Sequence, residues 1–294
     1  MSTPASSTFP LSRTAVEAAG AVFTEPGTTG STNADLLALA TTQPHGSVVV
    51  TLDQTAGRGR LDRTWSAPAG ETLAASLLVR ADLDGQDRGW LPLVAGAAMR
   101  DAVVAVLSGP DRGDDGFPAG DDADVRDEAA ASRASGSADR VAVKWPNDVL
   151  VDGRKVCGIL CQVAADGSVV VGAGVNLTIP ADRLPTPTAT SLAVAGATGS
   201  AAELADRVLS RFLRGVQEAV VALVDGGAAA DGVRSHVRSA CGTIGQRVRL
   251  ELPDGTVSEA DATGIDDEGR ITIRDRAGFS RGVAVGDVTH LRYA

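Results

Sequence analysis

The feature that most constrains this chain is a change of texture near Gly242. From there onward, short alternating apolar runs are broken by turns at Pro253-Asp254-Gly255, Asp267-Glu268-Gly269 and Ala277-Gly278. Turns that close together within about 50 residues imply a small β-barrel, packed as a unit of its own. Upstream, helix and strand signals are mixed. Residues 48–50 and 73–79 read as buried strands, with a Gly/Arg-rich loop between them. Leu36, Leu37 and Leu39 predict a short helix with Ser31 or Thr32 as its N-cap and Asp35 in its first turn. Helices are also expected over 91–107 and 201–223. Asp152-Gly153, between two apolar-rich runs, is a strong hairpin signal; the second arm, 156–163, leads through Asp166-Gly167 into a strand at 169–175. The whole reads as an α+β fold with an all-β cap.

Two segments stand apart. Residues 1–20 are rich in Ser, Thr and Ala and read as a flexible lead-in. Residues 108–140 hold nine acidic residues and four arginines, with repeated Gly and Ser. Such a stretch buries too little apolar surface to offset its chain entropy, so a disordered surface insertion is expected. It also accounts for half of the formal charge of −10, which leaves the remainder only mildly acidic. That balance argues against a general nucleic-acid binder, which needs a basic face. No signal peptide is recognisable, and no apolar run approaches the roughly 18 residues of a membrane span. Three cysteines, an odd number, fit a reducing compartment, and a cytoplasmic protein is expected.

Rare residue types carry more than totals. Of 27 basic residues only Lys144 and Lys155 are lysines, and the only asparagines are Asn33, Asn147 and Asn176. Gly57-Arg58-Gly59-Arg60-Leu61-Asp62-Arg63-Thr64-Trp65 combines glycines that permit close backbone approach with three arginines able to neutralise phosphate, and an indole face for stacking. It lacks the third glycine of a dinucleotide fingerprint and the Gly-Lys-Ser/Thr of a P-loop. In Lys144-Trp145-Pro146-Asn147-Asp148, an ammonium follows a buried strand, and Pro146 implies a bulge or edge that aims its neighbours. Lys155, in the hairpin turn, reads as solvated. Gly172-Ala173-Gly174-Val175-Asn176 brings small residues to a strand that ends in an amide, with Gly158 in the same role on the hairpin strand. Those glycines could admit a ligand or simply a tight packing contact. Cys157 and Cys161 read as buried structural thiols. No role is assigned to Cys241, His45, His236 or His290.

Taken together, these segments resemble the biotin protein ligase family. The likeness rests on Gly30-Ser31-Thr32-Asn33, Asp53-Gln54-Thr55-Ala56 and the Gly57–Trp65 loop. It extends through Lys144–Asp148, Gly172–Asn176 and Cys241-Gly242-Thr243-Ile244-Gly245, in the family's order. The resemblance implies a mixed sheet with helices like that of class II aminoacyl-tRNA synthetases over 21–240, and an SH3-like barrel over 241–294. It implies activation of biotin by MgATP to biotinyl-5′-adenylate, then acyl transfer to a lysine of a biotin carboxyl carrier domain of a biotin-dependent carboxylase.

Position by position, Ser31, Thr32, Asn33 and Gln54 match residues around the biotin head group, and Gly158 is placed with them. The helix N-terminus alone would have put the carboxylate there; the family places the ureido ring instead. Gly57, Arg58, Gly59, Arg60 and Arg63 match a loop that closes on biotin and the adenylate phosphate. Trp65 matches a residue near adenine, Asn147 and Asn176 match nucleotide contacts, and Lys144 is taken as the bridge between carboxylate and α-phosphate. Lys144, Arg58 and Arg60 are the catalytic candidates. No protein ligand for Mg²⁺ and no general base for the transfer step is assigned. Only about 30 residues precede Ser31, fewer than the roughly 60 of the winged helix found in repressor relatives, so DNA binding is not expected, nor is a membrane partner. The rival readings are a lipoate or octanoate ligase, a DNA-binding biotin sensor and a non-catalytic ligand-binding relative.

Overall fold

The computed structural model describes residues 7–60, 63–65, 68–109, 136–252, 255–284 and 287–290. Its centre is a seven-stranded mixed sheet. In spatial order the strands are β1 (Phe23–Thr24), β2 (Val48–Thr51), β5 (Thr72–Val79), β9 (Val169–Asn176), β8 (Arg154–Val163), β7 (Asp148–Val151) and β6 (Val141–Lys144). β1 and β2 run parallel, and every other pair is antiparallel. A small ribbon of β3 (Gly57–Arg58) and β4 (Thr64–Trp65) lies beside it.

Alternation along the strands sorts their side chains onto two faces. Val48 and Val50 of β2, Leu73, Ala75 and Leu77 of β5, and Val171, Ala173 and Val175 of β9 join the main core. That core also takes in residues of α3 (Gly85–Leu107), α4 (Ala201–Asp225) and α5 (Gly227–Ala240). The opposite face carries a second, smaller cluster in which Val49, Leu78 and Val170 meet Leu36 of α2 (Thr32–Leu39). The α2 face is therefore only partly covered by apolar packing, and its uncovered part holds the site.

The helix ends follow local chemistry. Ser31 caps α2, its side chain accepting from the Ala34 N–H. Asp84 caps α3 through the Asp87 N–H, so this helix starts six residues before the expected 91 and runs through Pro92. A Ser200/Glu203 capping box opens α4, and Gly226 at φ 70° closes it. α3 is long and apolar enough to cross a membrane by length and composition, but its apolar residues are mostly buried against the sheet and α4.

Three expectations need correction. Residues 10–18 form a helix, α1 (Pro10–Ala18), and are no loose lead-in. Pro10 suits its first position, and the buried Asp206 carboxylate of α4 accepts from the Leu11 and Ser12 N–H groups at 2.8 and 2.9 Å. The expected insertion is ordered at its C-terminal edge: residues 136–140 are helical, and Arg100 donates to the Ala138 carbonyl at 2.7 Å. Residues 110–135 lie outside the described set. Pro146 makes no bulge; it sits in the tight turn joining the edge strand β6 to β7.

The C-terminal cap is a five-stranded antiparallel sheet, ordered β13 (Ser280–Val283), β12 (Ile271–Arg274), β11 (Val257–Ile265), β10 (Arg247–Glu251), β14 (Asp287–His290). Val248, Leu250, Ala260, Ala262, Ile271 and Ile273 alternate into its core. Backbone and indole bonds fasten it to the seven-stranded sheet and its helices. Thr243 Oγ1 accepts from the Trp145 N–H at 3.0 Å, Trp145 Nε1 donates to the Gly269 carbonyl at 3.3 Å and Trp90 Nε1 to that of Asp267 at 2.8 Å.

Candidate active site

A cavity of about 160 Å³ opens on the α2 face of the sheet. Ser31, Thr32, Asn33, Gln54, Arg58, Gly59, Arg60, Arg63, Trp65, Asn147 and Gly158, all singled out from sequence, line it. Leu61 and Asp62 of the arginine loop lie outside the described residues. Gly57 sits just behind the wall, where β3 pairs with Trp65; a Cβ there would lie 2.6 Å from Gln54 Nε2.

The alternating face explains the floor. Gly172 and Gly174 of β9 and Gly158 of β8 point the same way, with Gly158 opposite Gly174 and Leu160 opposite Gly172. A Cβ at Gly172 would lie 2.0 Å from Asn33 Oδ1, and one at Gly174 would lie 2.7 Å from Trp65 Cε2. Of the two roles left open, these glycines thus take tight packing: they seat the Asn33 amide and the Trp65 indole. The two seats are two residues apart on one strand, about 7 Å.

The walls divide accordingly. Near Gly172 the groups are neutral. Asn33 Nδ2 donates to the Leu160 carbonyl at 3.1 Å and to Gln162 Oε1 at 2.8 Å, while Gln54 Oε1 accepts from the Thr32 N–H at 2.9 Å. Near Gly158 and Gly174 the groups are charged. Lys155 Nζ lies 2.6 Å from Asp148 Oδ1 and 5.5 Å from the centre of the Trp65 ring. Arg60 reaches Asn147 Oδ1 at 3.4 Å, and Asn147 in turn donates to the Ile159 carbonyl at 2.7 Å. Among the described lining residues, Arg58, Arg60, Arg63 and Lys155 are accompanied by one carboxylate, Asp148. A chain of net charge −10 thus keeps a strongly cationic pocket.

Two expectations are redirected. Lys155, read as solvated, is on the cavity wall, whereas Lys144 is not among the lining residues; its Nζ stands 3.9 Å from Asp148 Oδ2, the other oxygen of the carboxylate that Lys155 holds. The cause is a β-bulge. Leu150 pairs with Lys155 and Val149 with Cys157, so Val156 is the extra residue, and both Val156 and Cys157 enter the core. Strict alternation from Gly158 would have placed Val156, not Lys155, on the site face. Asn176 likewise does not line the cavity. It is buried at the end of β9, donates to the Thr190 carbonyl at 2.8 Å, and leaves Oδ1 without a partner among the described residues. Trp65 Nε1 is similarly unpartnered. Burial pushes the Cys157 thiol up and that of Cys161 to about 12, as inert thiols require.

Among the described residues no group of three or more His, Cys, Asp or Glu could hold a metal ion. Asp148, the one carboxylate among the described lining residues, is already engaged by Lys155. The described donor set does not fit a resident Mg²⁺.

Comparison with known proteins gives a consistent answer. Residues 26–178 match the biotin/lipoate A/B protein ligase family, and residues 243–291 match the biotin protein ligase C terminal domain. A biotin–[acetyl-CoA-carboxylase] ligase of Mycobacterium tuberculosis is 38% identical over 267 residues, covering 90% of this chain and 87% of that protein. Among solved structures, a biotin protein ligase from Aquifex aeolicus in complex with biotin and ATP superposes with a TM-score of 0.65 at 22% identity, covering 92% of this chain and 99% of that one. One from Leishmania major in complex with biotinyl-5-AMP gives 0.57 at 24% identity, covering 89% and 98%. The chain belongs to the biotin/lipoate A/B protein ligase family, and within it to the biotin protein ligases.

Proposed function

We propose that the chain activates biotin with ATP in this cavity and passes the biotinyl group to one lysine of a carrier domain in a biotin-dependent carboxylase. The observation that carries this reading is the division of the pocket: neutral hydrogen-bonding groups about 7 Å from a cluster of cations. Biotin has that shape, a neutral ureido head and a carboxylate tail. ATP adds three phosphates at the cationic end.

Attack of a carboxylate on an α-phosphate brings two anions together. The barrier falls if fixed cations meet the charge as it builds. Lys155 is the group assigned to that point, in place of Lys144. Its ammonium lies against Gly158 and is held by Asp148, so it is oriented before substrate arrives. Arg58, Arg60 and Arg63 neutralise the phosphates from the loop side, where Arg suits bidentate contact. Trp65, on its glycine seat beside Lys155, offers a ring face to adenine. Asn147 braces Arg60, and Asn176 contributes its unpaired Oδ1 farther along β9. On this reading magnesium enters with the nucleotide, held by its phosphates.

In the second half-reaction the acceptor lysine must reach the adenylate as a free amine. At an ordinary pKa of 10.4, losing its proton at pH 7 costs about 4–5 kcal/mol.

The test is ATP–pyrophosphate exchange with biotin or with lipoate, followed by labelling of a biotin carboxyl carrier domain. Exchange with biotin and a labelled carrier are expected. Exchange with lipoate alone would overturn the biotin assignment.

A further inference from the structure

Ser76 is buried beneath the neutral end of the cavity and is absent from its lining. Its Oγ lies 2.6 Å from Asn33 Oδ1 and 2.8 Å from Thr32 Oγ1. The hydroxyl has one hydrogen to give. Asn33 is fixed by its other end: Nδ2 faces the Leu160 carbonyl, which can only accept, and Gln162 Oε1. Asn33 Oδ1 is therefore an acceptor, and Ser76 must spend its hydrogen there. The contact with Thr32 then needs the Thr32 hydrogen, pointing into Ser76. Gln54 Oε1, 3.3 Å from Thr32 Oγ1, is the poorer acceptor and already takes the Thr32 N–H at 2.9 Å.

We propose that Ser76 is a positioning residue for substrate selection: through this one-way relay it leaves the Thr32 hydroxyl oxygen with lone pairs only, so the pocket demands an N–H donor from the ligand ring. The inference rests on the biotin reading above and deepens it. It also gives Asn33 a changed part. Both of its amide hydrogens are committed within the protein, so it acts as the relay's anchor and not as a donor to the ligand. Gly172 belongs to the same device, since a side chain there would displace Asn33.

A site that meets a ligand N–H with a buried acceptor rejects an isostere presenting oxygen, because two lone-pair groups are then forced together. Removing Ser76 takes away the acceptor that holds the Thr32 hydrogen inward and leaves only Gln54 Oε1, at 3.3 Å and already engaged by the Thr32 N–H, to compete with the ligand for it. The experiment compares calorimetric affinities for biotin and for its two cyclic carbamate isosteres, in which one or the other ureido N–H is replaced by oxygen. Wild type should prefer biotin over at least one isostere by about 100-fold. In Ser76→Ala that preference should shrink to about tenfold or less, since any general loosening of the pocket affects both ligands and cancels in the ratio.

Ser76→Cys keeps the volume with a weak donor and should give an intermediate ratio; it carries the test if the alanine variant does not fold. A wild-type ratio in folded variants that still bind biotin would overturn the relay and leave the ligase reading standing. Failure of wild type to bind biotin would overturn the ligase reading and the relay with it.

Discussion

At the scale of single residues, the site was legible wherever chemistry and spacing coincide. Ser31, Thr32 and Gln54 stand where the sequence put them, and the arginine loop faces the cavity. The exception is instructive. Scarcity singles out both lysines equally, but Lys144 follows a buried strand and Lys155 reads as a solvated turn residue; a one-residue bulge at Val156 brings Lys155 onto the site face. A bulge leaves no mark in hydrophobic alternation because Val156 and Cys157 are both apolar and both buried. The prediction is that Lys155→Ala lowers biotin-dependent ATP–pyrophosphate exchange by about 100- to 1,000-fold, the usual loss of a charge-stabilising group. Lys144→Ala should stay within about tenfold. Equal losses would contradict the geometry. Gly174→Ala puts a Cβ 2.7 Å from Trp65 Cε2 and should unseat the indole. A roughly tenfold rise in the KM for ATP, with biotin affinity little changed, is the expected reading.

At the scale of elements, strands and long helices were foreseen because their periodicity is a property of the segment itself. α1 was missed because its stabilisation comes from elsewhere. Pro10–Ala18 has no side-chain cap of its own, and its first N–H groups are satisfied by Asp206, nearly 200 residues away. Asp206→Ala leaves those donors without a partner and should lower stability by about 2–3 kcal/mol in denaturant titrations. α3 and α5 are joined by His236 Nε2 and Asp101 Oδ2 at 2.7 Å. The hydrogen bond to Asp101 raises the His236 pKa, and burial and Arg100 offset it in part. Burial raises the Asp101 pKa, but bonds from His236 and Arg100 outweigh it and bring the net value down.

The histidine's share of stability is thus complete below its ordinary pKa near 6.5 and is lost as pH rises through its higher folded value. The carboxylate's share is present above its ordinary value and is lost only as pH falls through its lower folded one. Both groups are about half exposed, so the pair contributes under about 1 kcal/mol. His236→Gln should flatten the decline in stability as pH rises above the ordinary histidine value near 6.5, measured by denaturant midpoints. An unchanged slope would show that the pair does not contribute.

At the scale of the whole molecule, the two units are legible in the sequence as a change of texture, but the contacts between them are not. Trp90 and Trp145 each send an indole N–H across the boundary to a backbone carbonyl, and Thr243 receives a backbone N–H in return. Buried residues of both units form one contiguous apolar cluster. A single calorimetric transition is expected. Thr243→Val, which strips the acceptor from the Trp145 N–H, should lower Tm by roughly 2–6 °C without splitting that transition.

Activation of biotin on the α2 face of the seven-stranded sheet can be followed by backbone hydrogen exchange with and without biotin and ATP. New protection is expected at residues 31–33, 57–60 and 158–160, together, in protein that also shows biotin-dependent pyrophosphate exchange. Protection confined to another surface, such as the groove between α3 and α5, in equally active protein would contradict it.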